Sequence, residues 1–134
     1  MFLPMWLTHL AAAYAELGQL DDALRCVGEA MSAVETTGER WCEAEVYRVT
    51  GEIALMADEL KAETHFDRAL AVARQQQAKS WELRGSMSLA RLWRDQGKVS
   101  EARELLVPVY GWFTEGFDTS DLKEAKALLN ELRI

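Results

Sequence analysis

The chain is poor in the residues that punctuate or cross-link proteins. Two prolines and eight glycines in 134 residues leave little room for disordered linkers or for a strand-and-turn architecture. Its two cysteines, Cys26 and Cys42, are isolated, which excludes a disulfide framework, a metal knuckle and a Cys-x-x-Cys redox pair. They read as small buried apolar residues in a reducing cytoplasm. No run of roughly 18 apolar residues occurs, so no membrane span is expected. The opening "MFLPMWLTHL" has no basic leader, is broken by Pro4 and His9, and lacks a cleavage pattern. A soluble cytoplasmic chain, neither secreted nor membrane-bound, is the expectation.

Catalytic signatures are missing as well. The sequence holds no Gly-rich phosphate loop, no His-x-Glu pair, no His-Glu-x-x-His element and no Gly-x-Ser-x-Gly elbow. His9 and His65 stand far apart without a partner pattern. No catalytic residue, no cofactor and no metal is expected, and the segment reads as a non-enzyme.

What is present is helix-forming sequence. The chain fits one domain by length, is 49% apolar, and is rich in Ala, Leu, Glu, Arg and Gln. An all-α fold follows. The net charge of -7 is unevenly spread: residues 1–60 hold 3 basic and 11 acidic side chains, 61–103 hold 9 and 5, and 104–134 hold 3 and 6. An acidic total argues against nucleic acid, whose affinity comes from neutralising phosphates. The positive middle block suits an acidic peptide or domain as partner.

The chain also repeats itself. "AELGQLDDALRCV" and "RDQGKVSEARELL" share Gly, Ala and a bulky aliphatic at the same spacing, and a third copy lies between them. At steps of 39 and 40 residues Ala23 maps to Ala62 and Ala102, and Ala30 to Ala69 and Val109. Val27 maps to Phe66 and Leu106, Tyr14 to Ile53 and Trp93, and Phe2 to Trp41 and Trp81. Gly18 becomes Ala57 and then Gly97. Three tandem units follow, about 1–38, 39–78 and 79–117, inside one domain of 1–134.

Apolar residues recur at three and four within each unit, so each reads as a helix pair. First helices are predicted near 4–17, 40–57 and 80–96, and second helices near 20–36, 60–76 and 100–115. Gly18, Gly38 and Gly97 sit where helices must stop. Ser80 and Ser100 are candidate N-caps. Small residues at 23, 62 and 102 let paired helices approach closely. Pro108 should kink its helix, with Tyr110, Trp112, Phe113 and Phe117 packing into the bend. The segment "FDTSDLKEAKALLNELRI" supplies a solitary capping helix near 119–132, with Asp118, Thr119 or Ser120 as its N-cap.

The segments "YAELGQLDDALRCVGEAM", "ALMADELKAETHFDRAL" and "RLWRDQGKVSEARELLVPV" resemble the tetratricopeptide repeat. That resemblance implies a right-handed α-solenoid of three helix pairs plus a capping helix, with repeats longer than the usual length by about six residues. Ala57 in place of Gly makes the middle turn the departure from the pattern. The stretches "GERWCEAEVYRVTGEIAL", "FDRALAVARQQQAKSWELRGSMSLARLWRDQGK" and "VYGWFTEGFDTSDLKEAKALL" are similar to the C-terminal region of bacterial class III adenylate/guanylate cyclase–ATPase signalling proteins. The resemblance implies a regulatory segment of such a protein. It implies no cyclase activity here, since those catalytic domains would lie upstream of Met1.

A helix-pair solenoid lines its concave side with first helices. The register puts Met5, Thr8, Ala12 and Glu16 there, then Ala44, Tyr47, Gly51 and Leu55, then Arg84, Met87, Arg91 and Arg94 with Asp95. Met5, Thr8, Glu16, Tyr47, Arg84, Met87, Arg91 and Arg94 are the candidate binding residues, the arginines converging on carboxylates and Met87 serving as an adaptable apolar contact. Glu45, Arg48 and Glu52 read as an ion-pair ladder. Two functions compete. In one the concave side holds a protein or peptide, acidic in character, or an upstream domain of the same protein. In the other the repeats pair as a homodimer that assembles catalytic domains, a role that apolar residues exposed around Phe2, Met5 and Trp6 would favour.

Overall fold

A computed structural model describes residues 3–38 and 40–133. Seven helices follow one another: α1 Leu3–Glu16, α2 Leu20–Thr37, α3 Glu43–Ala54, α4 Glu59–Gln75, α5 Lys79–Asp95, α6 Val99–Trp112 and α7 Ser120–Glu131. They form the three expected hairpins, α1/α2, α3/α4 and α5/α6, with α7 packed on both helices of the last. Each first helix also touches the first helix of the next hairpin, and α2 and α4 touch the hairpin that follows them. The architecture is an all-α tandem helix-hairpin solenoid. Phe2 lies outside the described residues.

Small residues set the hairpin crossings. Ala23, Ala62 and Ala102 are fully buried, as is Ala30, so neighbouring helices close over a methyl group and bulkier residues fill the space alongside. Between α3, α4 and α5 the fill is Phe66, Leu70, Leu89 and Leu92. The last hairpin and α7 share one apolar cluster that includes Leu83, Met87, Leu106, Leu122 and Leu128. The apolar stripe of "DLKEAKALLNELRI" therefore faces inward and closes the far edge.

Turn chemistry departs from expectation in informative ways. Gly18 and Gly97 adopt φ of 78° and 83°, and the next residue's N–H reaches back five positions, Gln19 to the Tyr14 carbonyl at 2.9 Å and Lys98 to that of Trp93 at 2.7 Å. Gln77 occupies the register position of Gly38 and takes the same left-handed conformation, φ 54°, with Ala78 N–H bonded to the Ala73 carbonyl at 2.8 Å. A side chain with a Cβ is strained there. Gln77→Gly should raise the unfolding free energy by up to about 1 kcal/mol, read as a higher urea midpoint. A lower midpoint would mean that the glutamine side chain contributes more than its backbone strain costs.

The middle turn needs no glycine because Asp58 caps α4, its carboxylate accepting from Leu60 N–H at 3.0 Å and from Lys61 N–H at 3.5 Å. Ser80 and Ser100 lie inside the first turn of α5 and α6, whose N-cap positions are Ala78 and Lys98 without side-chain caps. Thr119 does cap α7 by accepting from Leu122 N–H at 3.4 Å. Helix α3 begins at Glu43 rather than near residue 40, and α6 runs through Pro108 to end at Trp112. At its C-terminal end the Tyr110 and Phe117 rings meet at 5.8 Å, Phe113 meets Trp112 edge-on at 5.2 Å, and the Lys79 ammonium sits 5.7 Å from the Trp112 ring centre.

Candidate interaction groove

Helices α1, α3, α5 and α7 stand side by side, and charged residues cross from each of α3 and α5 to the next. At the centre is Glu45, only 2% exposed. Its carboxylate accepts from Arg48 Nε at 2.7 Å and Nη2 at 2.9 Å, and pairs with Arg84 Nη1 of the next repeat at 2.9 Å. Arg48 also reaches Glu52 at 3.7 Å and donates to Ser88 Oγ at 3.2 Å. Burial works against the Arg48 charge, but the bonds and field of Glu45, with the fields of Glu52 and Asp121, outweigh it and raise its pKa above the usual arginine value. The expected Glu45–Arg48–Glu52 ladder is thus present and extends into α5.

The three arginines that the sequence offers to an acidic partner meet acids of this chain's own last helix. Arg84 lies 3.8 Å from Asp121 and Arg91 lies 3.8 Å from Glu124, while Arg94 pairs with Glu131 and, at 3.1 Å, with Asp95. Acids at 121, 124 and 131 answer cations at 84, 91 and 94 because α5 and α7 lie alongside. This match is readable as spacing but not as contact, since nothing in a linear register says that α7 returns beside α5. Arg91 has a long contact and the highest exposure of the three, 39%, so it is the least committed.

Other candidates divide by burial. Thr8 is 1% exposed, and its hydroxyl donates to the Pro4 carbonyl at 2.6 Å, so it is a core residue rather than a surface contact. Met87, 2% exposed, lies in the cluster beneath α7, which removes it as an adaptable contact. Ala44 and Gly51 are buried for the same geometric reason: their side of α3 packs inward. Met5 and Tyr47 are half-buried and Glu16 is exposed. A cleft of about 320 Å³ crosses the three first helices, lined by Ala12, Glu16, Arg48, Glu52, Met56 and Arg91. It brings together Glu16 and Arg91 from the expected set and adds Met56, which is 56% exposed. A wider depression of about 610 Å³, lined by Tyr110, Phe117, Lys123 and Lys126, is confined to the α6–α7 end.

Reactive groups are dispersed. Cys26 and Cys42 are both buried, and among the described residues no group of three or more His, Cys, Asp or Glu is arranged to hold a metal ion. His65 is half-buried, its Nδ1 enclosed without a hydrogen-bond partner. Burial, helped by the Arg68 charge, lowers its pKa. No helix among the described residues is long and apolar enough to cross a membrane. A family model described as tetratricopeptide repeat matches residues 3–75. No curated protein and no solved structure matches the chain.

Proposed function

Because the chain belongs to the tetratricopeptide repeat family, whose members generally mediate protein–protein interaction, we propose that it is a non-catalytic interaction scaffold that grips an extended peptide segment in the cleft across α1, α3 and α5. The observation that carries this reading is the cleft itself. It crosses three repeats, joins an exposed Met56 to polar walls, and leaves Arg91 half-exposed at one end. A segment with an aliphatic side chain for Met56 and a carboxylate for Arg91 fits that arrangement. Arg84 and Arg94 hold α7 in place, so Arg91 meets the partner's acid. The resemblance of residues 38–55, 66–98 and 109–129 to the tails of cyclase–ATPase signalling proteins supports a regulatory role in such a protein, the gripped segment belonging to its catalytic or ATPase domain.

The test is a titration of the chain with two peptides of equal length, one carrying Glu and Leu and one with each Glu replaced by Lys, followed by backbone NMR. The acidic peptide should shift resonances around Glu52, Met56 and Arg91, and Arg91→Glu should weaken it about tenfold, the effect of about 1.4 kcal/mol. Equal shifts from both peptides, or shifts confined to α6 and α7, would remove the cleft from this role.

A further inference from the structure

The charged walls of the cleft are not equivalent. On α5, Arg91 offers a cation whose nearest acid, Glu124 of α7, is 3.8 Å away. On α3, Arg48 is committed to Glu45 through two hydrogen bonds, which leaves Glu52 a 3.7 Å contact with it. On α1, Glu16 is exposed, and among the described residues its carboxylate has neither a hydrogen bond nor an ion pair. The cleft therefore runs from an uncompensated acid on its α1 side to a half-committed arginine on its α5 side. Helix α3 lies between the two and contributes the exposed Met56.

A ligand made of acids alone fits one end of this arrangement and not the other. Its carboxylate at Arg91 is answered, but a second carboxylate on the α1 side faces Glu16 with no cation to offset it, and like charges set against each other reject a partner. Glu124 and Asp121 of α7, which approach Arg91 and Arg84, add to the negative field around the arginine end. A Lys or Arg on the α1 side supplies the counter-charge that this chain withholds from Glu16. We propose, resting on the peptide-binding reading of the cleft, that its occupant is a dipolar segment, with a basic side chain at Glu16, an aliphatic one at Met56 and a carboxylate at Arg91.

Spacing narrows the pattern. Packed helices lie about 8–10 Å apart, so α1 and α5, on either side of α3, are separated by roughly 16–20 Å. An extended segment advances about 3.3 Å per residue and turns every second side chain to the same face. Side chains at the first, third and fifth positions then share the face over roughly 13 Å, and the long stems of the ligand's lysine and of Arg91 span the remainder. The motif is Lys-x-Leu-x-Glu. Glu16 sets specificity in it, and because both partners are exposed the effect is modest in size and sensitive to salt.

Three short peptides with blocked termini and identical Ser/Gly flanks test this, carrying Lys-x-Leu-x-Glu, Glu-x-Leu-x-Glu or Lys-x-Leu-x-Lys. Each is titrated into the full chain at low ionic strength and followed by backbone NMR. The dipolar peptide should bind about fivefold more tightly than the all-acidic one, and the preference should fade with added salt. Glu16→Lys, at an exposed position and with unchanged melting, should invert that order, and Glu16→Gln should abolish most of it. Arg91→Glu should weaken both peptides that carry Glu. Equal affinities for the dipolar and all-acidic peptides, or an order unmoved by Glu16→Lys, would overturn the proposal while leaving the cleft as a peptide site. Absence of any shift around Met56 with all three peptides would remove the cleft reading and this proposal together.

Discussion

Replacing Glu45 by Ala is expected to lower the unfolding free energy by about 3 kcal/mol or more, because it strips the acid from two arginines at once. Arg48 is 15% exposed and Arg84 is 30% exposed at the side chain. What would remain to them is a 3.7 Å contact with Glu52, a 3.8 Å contact with Asp121 and the Ser88 hydroxyl. A buried ion pair adds little over well-packed apolar residues, yet its half-removal leaves an uncompensated charge. Glu45→Gln, which keeps the shape and one acceptor, should cost less. A double-mutant cycle with Arg84→Ala should show coupling above about 1 kcal/mol, since the two groups touch across the α3–α5 boundary. Urea unfolding of the four chains measures this, and a loss below about 1 kcal/mol for Glu45→Ala would show that water reaches the cluster and screens it. The same side chain fixes how the second and third repeats meet, for the first repeat holds Trp6 at that register position and makes no such bridge.

Why the hairpins are legible in the sequence and the groove is not follows from what a repeat register contains. Gly18, Gly38 and Gly97 mark helix ends because left-handed backbone is cheap only for glycine, and Ala23, Ala62 and Ala102 mark crossings because only small residues recur there. Both signals are local or periodic, and α1, α2, α4, α5 and α7 fall within one or two residues of their expected bounds. The register does not say which neighbour covers a given side of a first helix. It puts Met87 and Thr8 on the open side, but Met87 lies in the apolar cluster shared with α7 and Thr8 is buried with its hydroxyl bonded to the Pro4 carbonyl. Gln77 is hidden because its left-handed conformation is imposed by the turn against the residue's own preference. Asp58 is hidden because Ala57 reads as a defect for want of a glycine, when the aspartate beside it supplies the cap. The pairing of Asp121, Glu124 and Glu131 with the α5 arginines depends on the capping helix lying in the row of first helices.

Gly51 offers the sharpest separation between helix propensity and packing, and Gly51→Ala is expected to destabilise the fold by about 1 to 3 kcal/mol. In an unconstrained helix the same change is favourable by roughly 1 kcal/mol, since glycine gives up the most backbone entropy. At Gly51 an added Cβ would stand 2.5 Å from Phe66 Cε1, 2.6 Å from Cδ1 and 3.2 Å from the Ala62 carbonyl oxygen. The ring has no room to retreat, because Phe66 is fully buried and its cluster includes Leu70, Leu89 and Leu92, and the carbonyl belongs to the α4 backbone. Either α3 and α4 separate or Phe66 leaves its packed position, and both expose the junction of the second and third repeats. Gly28 is the control: it is exposed on α2, and a methyl group added there would meet nothing within 4 Å, so Gly28→Ala should be neutral or stabilising by up to about 1 kcal/mol. Thermal melts of the two variants should therefore move in opposite directions. A stabilised Gly51→Ala chain would mean that α3 and α4 cross further apart than the burial of Ala62 and Phe66 requires, and that the cleft's central helix is not held in place by a small-residue crossing.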